Sequence, residues 1–205
     1  HQIVLDVEDK VDLEVPTESM QRIELFEPEE EISKYVGLGL NADYDHEIKF
    51  SPRDLVLVGG KRGSGKSLTC SNIANNVFQS GRSAIYFTIE MDSRSILQRC
   101  CSIATGVPYS RLRTQNLSVT EWEKVAGWWA SRFQEGQDRL KEYREKRNFS
   151  DFHHKLTTQH ELLPTQQLDV IYDPSLTLAK IRAELDKKVN KIEAGVIIVD
   201  YINQV

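Results

Sequence analysis

The sequence predicts an α/β fold in which helices cover both faces of a parallel sheet. From residue 54 onward, short apolar segments of strand length alternate with amphipathic segments of helix length. Parallel strands need a long connection between them, and a helix usually provides it. The chain has 205 residues, of which 40% are hydrophobic and 28% charged. That composition is typical of a folded protein with a core and excludes disordered and fibrous classes.

Four short apolar segments are predicted strands, because each has strand length and is bounded by polar residues or glycine. They are Leu55–Val58, Ala84–Ile89, Leu168–Tyr172 and Val196–Val199. Apolar residues at helical spacing predict the elements between them. These helices are Cys70–Phe78, closed by Gly81; a helix capped by Asp92 and closed by Gly106; a long helix from a capping box at Thr120 to about Arg147; and Leu178–Ile192, closed by Gly195. Residues 148–167 are predicted to be irregular.

Charge divides the chain into an acidic lead segment and a mildly basic body. Residues 1–50 carry 14 acidic and 4 basic side chains, whereas residues 51–205 carry 17 and 22. We predict an N-terminal arm with a linker helix in residues 1–45 and a globular domain in residues 46–205. The helix is indicated by Pro28, the glutamates after it and Gly37 at its end. It packs either on its own domain or on a neighbouring subunit.

Three cysteines form neither a CxxC pair nor a spacing with histidine that suggests zinc. An odd number of unpatterned cysteines is typical of a reducing compartment, so we expect a cytoplasmic protein, in the host cytoplasm if it is viral. No apolar run approaches the roughly 20 residues that span a bilayer. The first residues show no charged region followed by an apolar one, so we expect no secretory signal. Because the sequence starts at His1 rather than Met, we expect a processed or excised piece.

A phosphate-binding loop is predicted between the first strand and the first helix of the body. The segment matches the pattern G-x4-G-K-S, and its residues are Gly60, Lys61, Arg62, Gly63, Ser64, Gly65, Lys66 and Ser67. Glycines allow backbone N–H groups to turn toward phosphate oxygens, and the helix that follows points its positive end at them. Lys66 is expected to reach the β- and γ-phosphates of ATP, and the Ser67 hydroxyl to bind Mg²⁺.

Two carboxylates are predicted to complete the nucleotide site. The strand Val196–Val199 ends in Asp200, as in the Walker B element whose aspartate helps to hold magnesium. Many ATPases place the glutamate that activates water directly after this aspartate. Here that position holds Tyr201, so the base must come from another part of the chain. Glu90 ends the strand Ala84–Ile89, and the carboxyl ends of parallel strands share one sheet edge, so Glu90 is the candidate base.

Several further motifs occur in the order found in one family. Phe87-Thr88-Ile89-Glu90-Met91 resembles the "SLEM" element of DnaB-type replicative helicases. The stretch from Gly106 to Trp122 is similar to their "GVDLSRLRTGRLSDEDW" segment, and Ile198–Ile202 to their "VIDYLQ" segment. With the phosphate-binding loop, the resemblance covers residues 55–129 and 174–205.

The resemblance implies a RecA-like fold, a homo-hexameric ring and ATP-driven translocation on single-stranded DNA, with Glu90 at the family's catalytic base. It also implies a primase or helicase loader as partner. The chain departs from the family at Lys61-Arg62-Gly63, at Asn203 and across residues 130–167, which indicates a divergent member such as one that a phage encodes. The family's later strands, arginine finger and DNA-binding loops are expected beyond Val205, so the core is expected to be truncated.

Two other functions remain open at this point. One is a RecA-fold ATPase that acts as an assembly switch or in a recombinase-like way, without unwinding. The other is a helicase remnant that binds nucleotide and does not hydrolyse it. Phosphoryl transfer to a small molecule is disfavoured because no lid for an acceptor can be identified.

Three other groups of residues are interpreted as structural. The basic stretch from Arg139 to Arg147 is expected to form i,i+4 pairs with glutamates, Glu135–Arg139 and Glu142–Lys146, which predicts a solvated helix face. Trp122, Trp128 and Trp129 lie on an amphipathic helix, which favours core packing over base stacking. The histidines, which are His153, His154 and His160, are expected to be solvated in a loop.

Overall fold

A three-stranded parallel sheet with the order β2-β1-β3 forms the centre of the computed structural model. The strands are β1 (Ser83–Thr88), β2 (Leu168–Tyr172) and β3 (Ala194–Asp200). The structure describes residues 30, 34–52, 54–163, 167–188 and 194–201. The predicted strands at 84–89, 168–172 and 196–199 are therefore confirmed to within two residues.

The described helices connect and flank these strands. They are α1 (Ala42–Glu47), α2 (Lys66–Gln79), α3 (Ser93–Thr105), α4 (Tyr109–Thr114), α5 (Val119–Ala130), α6 (Gly136–Lys146), α7 (Phe149–Gln159) and α8 (Leu178–Lys188). Two of the predicted helices, which correspond to α2 and α3, are confirmed. The Asp92 carboxylate accepts a hydrogen bond from the Ser95 backbone N–H at 3.0 Å, and Gly106 ends α3 in the left-handed conformation.

Both faces of the sheet are covered, because alternate residues of β1 enter two different cores. Ala84 and Tyr86 pack with apolar residues of α2 and α3. Ile85 and Phe87 pack on the other face with Leu176 and with Ile181 of α8. The predicted α/β fold with a parallel sheet between helices is confirmed.

One detail of the helix that covers the second face differs from the prediction. Leu178 was expected on the inner face, but its side chain is 71% exposed at the start of α8. The first inward-facing residue of the helix is Ile181. Val189 and Ile192, the last residues of the predicted stripe, lie outside the described residues.

The predicted strand Leu55–Val58 is wrong. Residues 54–60 have no strand hydrogen bonds, and the Leu55 and Leu57 side chains are 87% and 75% exposed. An apolar run becomes a strand only when a neighbouring backbone completes its ladder. Within the described part of the chain, β3 pairs with β1 alone, and no strand lies beside residues 55–58.

The single long helix predicted from Thr120 to Arg147 is wrong, because the chain forms α5 and α6 with a turn between them. The capping box also lies two residues earlier: Ser118 and Glu121 exchange the two bonds. The turn is held by backbone bonds to a distant segment, from Gln134 N–H to the Glu161 carbonyl (2.9 Å) and from Leu163 N–H to the Arg132 carbonyl (3.0 Å). These bonds divert the backbone from the helical pattern.

Residues 148–167, predicted to be irregular, contain α7. Asn148 caps it by accepting a hydrogen bond from the Asp151 N–H at 3.1 Å. Phe152 and Leu156 of α7 pack with α5 and α6 in a further core, separate from the two cores on the sheet. The sequence prediction failed because only two residues of this helix are buried, so its apolar stripe is too narrow to stand out from a polar segment.

One buried arginine attaches this three-helix unit to the sheet. Arg132 is 7% exposed, and its Nη2 donates to the Leu168 carbonyl oxygen of β2 at 3.0 Å. Its guanidinium carbon lies 4.8 Å from the Trp129 ring centroid and 5.8 Å from that of Trp128. Burial lowers the pKa of this guanidinium. Cation–π contacts and a carbonyl bond therefore stabilise a charge inside the protein.

The junction between α5 and α6 makes a sharp prediction for Gly136. A Cβ at this position would lie 1.9 Å from the Ala130 carbonyl oxygen, whereas one at Gly127 would meet nothing closer than 3.9 Å. We expect Gly136→Ala to lower the free energy of unfolding by about 1–3 kcal/mol or more. Gly127→Ala, within α5, is the control and should raise it by up to about 1 kcal/mol. Urea unfolding measures both; equal effects would contradict this packing.

Residues 36–50 lead into the domain and pack against α2. Val36 and Phe50 exchange two backbone hydrogen bonds of 2.8 and 2.9 Å. The Asn72 amide donates to the Leu38 carbonyl at 3.0 Å and to that of Gly39 at 2.7 Å. The predicted linker helix through Gly37 is therefore wrong from residue 34 on, although Glu30 is helical. The rest of that helix and residues 1–29 lie outside the described residues, and the domain boundary at residue 45 stays a prediction.

Candidate functional site

The phosphate-binding loop leads directly into the first turn of α2. Gly63 and Gly65 have φ angles of 79° and 91°, which side chains rarely tolerate, and α2 begins at Lys66. No side chain among the described residues caps the helix at Gly65. A Cβ at Gly63 or Gly65 would meet nothing within 4 Å. Free N–H groups at the first turn of a helix, beside open space, form a site that an anion can enter.

Lys66 folds back over this loop. Its Nζ donates to the carbonyl oxygens of Gly60 at 2.8 Å and of Lys61 at 2.9 Å. The Ser64 N–H also donates to the Lys61 carbonyl, at 3.1 Å. The loop is thereby closed around a single ammonium group, which places a positive charge at the helix terminus.

Asp200 ends β3 beneath α2. Its side chain is 8% exposed, and its Oδ2 accepts a hydrogen bond from the Tyr86 hydroxyl at 2.8 Å. Burial and the negative charge of Asp200 raise the pKa of the Cys70 thiol, on α2, to about 11. The same two causes, with the hydrogen bond, raise the pKa of Tyr86. The strand that ends at Asp200 packs against α2, through Ile198 on β3 and Ile73, Ala74 and Val77 on the helix.

Glu90 leaves the sheet at the same edge as Asp200. Thr88 pairs with Asp200 across the β1–β3 ladder, and the Ile89 N–H donates to the Asp200 carbonyl at 3.2 Å. The Thr88 hydroxyl bonds to both backbone groups of Met91, which fixes the turn after the strand. Glu90 lies within that turn and is exposed, so its carboxylate is accessible to water and solutes.

The side chains predicted to bind metal are oxygen donors. Ser67 offers a hydroxyl and Asp200 a carboxylate, which suit Mg²⁺, an ion that usually takes one or two protein ligands together with substrate phosphates and water. In the part of the chain that the structure describes, no group of three or more His, Cys, Asp or Glu side chains could hold a metal by itself. The donor set fits magnesium brought in with a nucleotide.

Sequence reasoning missed Tyr86 and Ser71, whose hydroxyls bond to Asp200 and to the backbone of Ser67. Ser71 is fully buried, and its hydroxyl donates to the Ser67 carbonyl at 2.8 Å. One signal was available in the sequence: a tyrosine in the middle of an apolar strand carries a hydroxyl that must find a partner inside the core.

The tryptophans and histidines that the sequence analysis interpreted as structural lie in or beside the helices α5, α6 and α7. Trp128 packs edge-on against Phe78, with ring centroids 6.4 Å apart, so its predicted core position is confirmed. The predicted loop around the histidines is wrong, because His153 lies on α7 with its ring 4.9 Å from that of Trp129. His160 is held by Arg139, whose Nε lies 2.7 Å from its Nε2. Burial lowers the pKa of His153.

The basic stretch on α6 forms ion pairs, as expected of a solvated face. Glu142 accepts hydrogen bonds from Lys146 at 2.6 Å, Lys155 at 2.8 Å and Arg139 at 2.9 Å. These bonds, that of Lys146 first, lower the pKa of Glu142 to about 2. The expected Glu142–Lys146 pair is thus confirmed. The expected partner of Glu135 was Arg139, whereas its carboxylate lies 3.4 Å from Nδ1 of His160.

The parallel sheet, the glycine-rich loop at the start of α2 and the acidic end of β3 together define a RecA-like P-loop domain. Comparison with known proteins agrees. Residues 43–205 match the family model described as the DnaB-like helicase C terminal domain. The chain belongs to this family.

Individual relatives match shorter parts of the chain. A probable replicative DNA helicase of Guillardia theta is 31% identical over 83 residues, which are 40% of this chain and 14% of that protein. Replicative DNA helicase DnaB of a Nostoc species is 31% identical over 78 residues, 38% of this chain and 9% of that protein. DnaB of Buchnera aphidicola is 29% identical over 98 residues, 45% of this chain and 21% of that protein. The matched segments span less than a quarter of these relatives.

A membrane span is not found where the structure describes the chain: no helix there is long and apolar enough to cross a bilayer.

Proposed function

We propose that this chain is the ATPase core of a replicative DNA helicase that hydrolyses Mg·ATP. One observation supports the proposal: α2, which begins at Lys66 and Ser67, packs through Ile73, Ala74 and Val77 against Ile198 of β3, the strand that ends at the buried Asp200. The proposed phosphate site and the proposed metal site therefore belong to two elements that pack together. The family membership and the relatives named as replicative helicases support the coupling to DNA.

The loop binds the phosphates in this proposal. Backbone N–H groups of the loop would bind the phosphates; its residues are Gly60, Lys61, Arg62, Gly63, Ser64, Gly65, Lys66 and Ser67. The Lys66 ammonium, which bonds to two loop carbonyls in this structure, exchanges them for phosphate oxygens. Because those carbonyls belong to the loop itself, the exchange needs only side-chain rotation.

Ser67, through its hydroxyl, and Asp200, through its carboxylate, would hold Mg²⁺. When bound, the ion supplies positive charge that offsets the charge of the β- and γ-phosphates during transfer. Asp200 is already desolvated at 8% exposure, so it has lost water that an incoming cation would otherwise have to displace.

Glu90 acts as the general base on the attacking water. The residue after Asp200 is Tyr201, whose phenol is a poor base near neutral pH. Glu90 follows β1, the strand paired with β3, and is accessible from solvent at the edge where Asp200 lies. A carboxylate at that edge accepts the proton of water as the water attacks the γ-phosphate.

Translocation requires parts outside the described residues. We propose a homo-hexamer around single-stranded DNA in which a neighbouring subunit supplies an arginine to the transferred phosphate. A primase or a helicase loader is the proposed partner, and the cytoplasm is the proposed location. The mildly basic body of the chain is compatible with a polyanionic ligand.

ATP hydrolysis by the full gene product, with and without single-stranded DNA, tests this function. We expect DNA to stimulate the turnover, and Lys66→Ala to give the blank. Turnover that depends on Lys66 but ignores DNA would indicate an assembly-switch or recombinase-like ATPase instead. Nucleotide binding without turnover, even at high protein concentration, would indicate a non-catalytic remnant.

A further inference from the structure

Tyr86 is the one tyrosine of the central strand, and its ring is fully buried. It packs with apolar residues of α2 and α3 in the main core. Burial suits the ring but not the hydroxyl, because an unpaired polar group in the core costs free energy. Phenylalanine would fill the same space without that cost, so packing alone does not explain the presence of a hydroxyl at this position.

The hydroxyl reaches Asp200 because of the strand register. Tyr86 lies beside Ile198 in the β1–β3 ladder, and Asp200 is two residues further along β3. Residues two apart on a strand share a face of the sheet. The long tyrosine side chain therefore spans the diagonal, and its hydroxyl donates to Asp200 Oδ2 at 2.8 Å.

A second buried hydroxyl bonds to the backbone at the start of α2. The Ser71 hydroxyl donates to the Ser67 carbonyl at 2.8 Å. Ser71 and Tyr86 are both fully buried, so water does not compete for the Ser71–Ser67 and Tyr86–Asp200 bonds. Ser67 and Asp200, the two residues proposed to hold the metal, are thus each bonded to a buried hydroxyl.

We propose that Tyr86 is a positioning residue that orients the Asp200 carboxylate for Mg²⁺. This inference rests on the proposed function, in which Asp200 is a metal partner. Oδ2 of Asp200 accepts the hydrogen bond from Tyr86, which restricts rotation of the carboxylate. The other oxygen, Oδ1, is therefore the one that can bind the ion or its waters. Partners of this kind around metal ligands typically contribute 10- to 100-fold to metal affinity.

Tyr86→Phe in the full gene product tests the proposal, because it removes the hydroxyl and keeps the ring. The readout is the Mg²⁺ concentration that half-saturates the binding of a fluorescent ATP analogue. We expect Tyr86→Phe to raise it about 10- to 100-fold and to leave analogue binding in EDTA unchanged. A merely structural role would weaken both. Tyr143→Phe is the matched control, since Tyr143 is 4% exposed in the separate core of α5, α6 and α7.

Asp200→Asn separates failure of this inference from failure of the proposed function. If Asp200→Asn removes the Mg²⁺ dependence and Tyr86→Phe behaves as wild type, Asp200 is a metal partner and the role of Tyr86 is wrong. If Asp200→Asn has the Mg²⁺ dependence of wild type, both are wrong.

A second measurement uses the wild-type protein, so it does not depend on whether a Tyr86 variant folds. In wild-type protein with ¹³Cζ-labelled tyrosine, Mg²⁺ added to the nucleotide complex should shift the Tyr86 resonance and not that of Tyr143. An unmoved Tyr86 resonance would overturn the proposal.

Discussion

Lys66→Ala should abolish detectable binding of Mg·ATP. Among the described residues, Lys66 is the only one of the loop whose side chain donates hydrogen bonds to loop carbonyls. Its Nζ lies within 2.9 Å of the carbonyl oxygens of Gly60 and Lys61. A hydrogen bond to a charged group contributes about 1.5–3 kcal/mol, so the loss of two such bonds to phosphate corresponds to at least about 100-fold in affinity.

Isothermal titration with ATP and Mg²⁺ measures this effect. Lys124→Ala is the control, because Lys124 is an exposed lysine on α5, outside the loop, and its loss changes the net charge equally. We expect the control to bind as wild type does. Equal affinity in Lys66→Ala and wild type would contradict the assignment of the loop.

Glu90→Ala should keep nucleotide binding and lose turnover. Glu90 lies in the turn after β1 rather than in the phosphate-binding loop, so its removal leaves the groups that bind phosphate in place. A positioned general base contributes about 10²- to 10⁴-fold to rate, and we expect a loss in kcat of that size with little change in affinity for ATP.

Steady-state phosphate release, measured together with nucleotide affinity, separates the two effects. Glu145→Ala removes an exposed carboxylate from α6 and is the matched control. Hydrolysis by Glu90→Ala at the wild-type rate would show that the base is another residue.

Features that depend on residues close together in the chain could be predicted from the sequence. They include the loop from Gly60 to Ser67, the strands β1, β2 and β3, and the position of Asp200 at the end of β3. The Asp92 cap and the Gly106 end of α3 could be predicted for the same reason.

Features that depend on distant parts of the chain were not predictable. The turn between α5 and α6 is fixed by bonds to residues 161–163, and the apolar segment 55–58 has no neighbouring strand among the described residues. The Tyr86–Asp200 bond joins positions 114 residues apart. A sequence pattern specifies which groups need partners but not which partners the fold brings to them.

Strand displacement by the full gene product tests the central claim most directly. The substrate is a forked DNA duplex, and the proteins are wild type, Lys66→Ala and Glu90→Ala. We predict that wild type separates the strands only with Mg·ATP, that Glu90→Ala binds nucleotide without unwinding, and that Lys66→Ala does neither. Unwinding by either variant at the wild-type rate, or unwinding by wild type without nucleotide, would contradict an ATP-driven helicase built on this site.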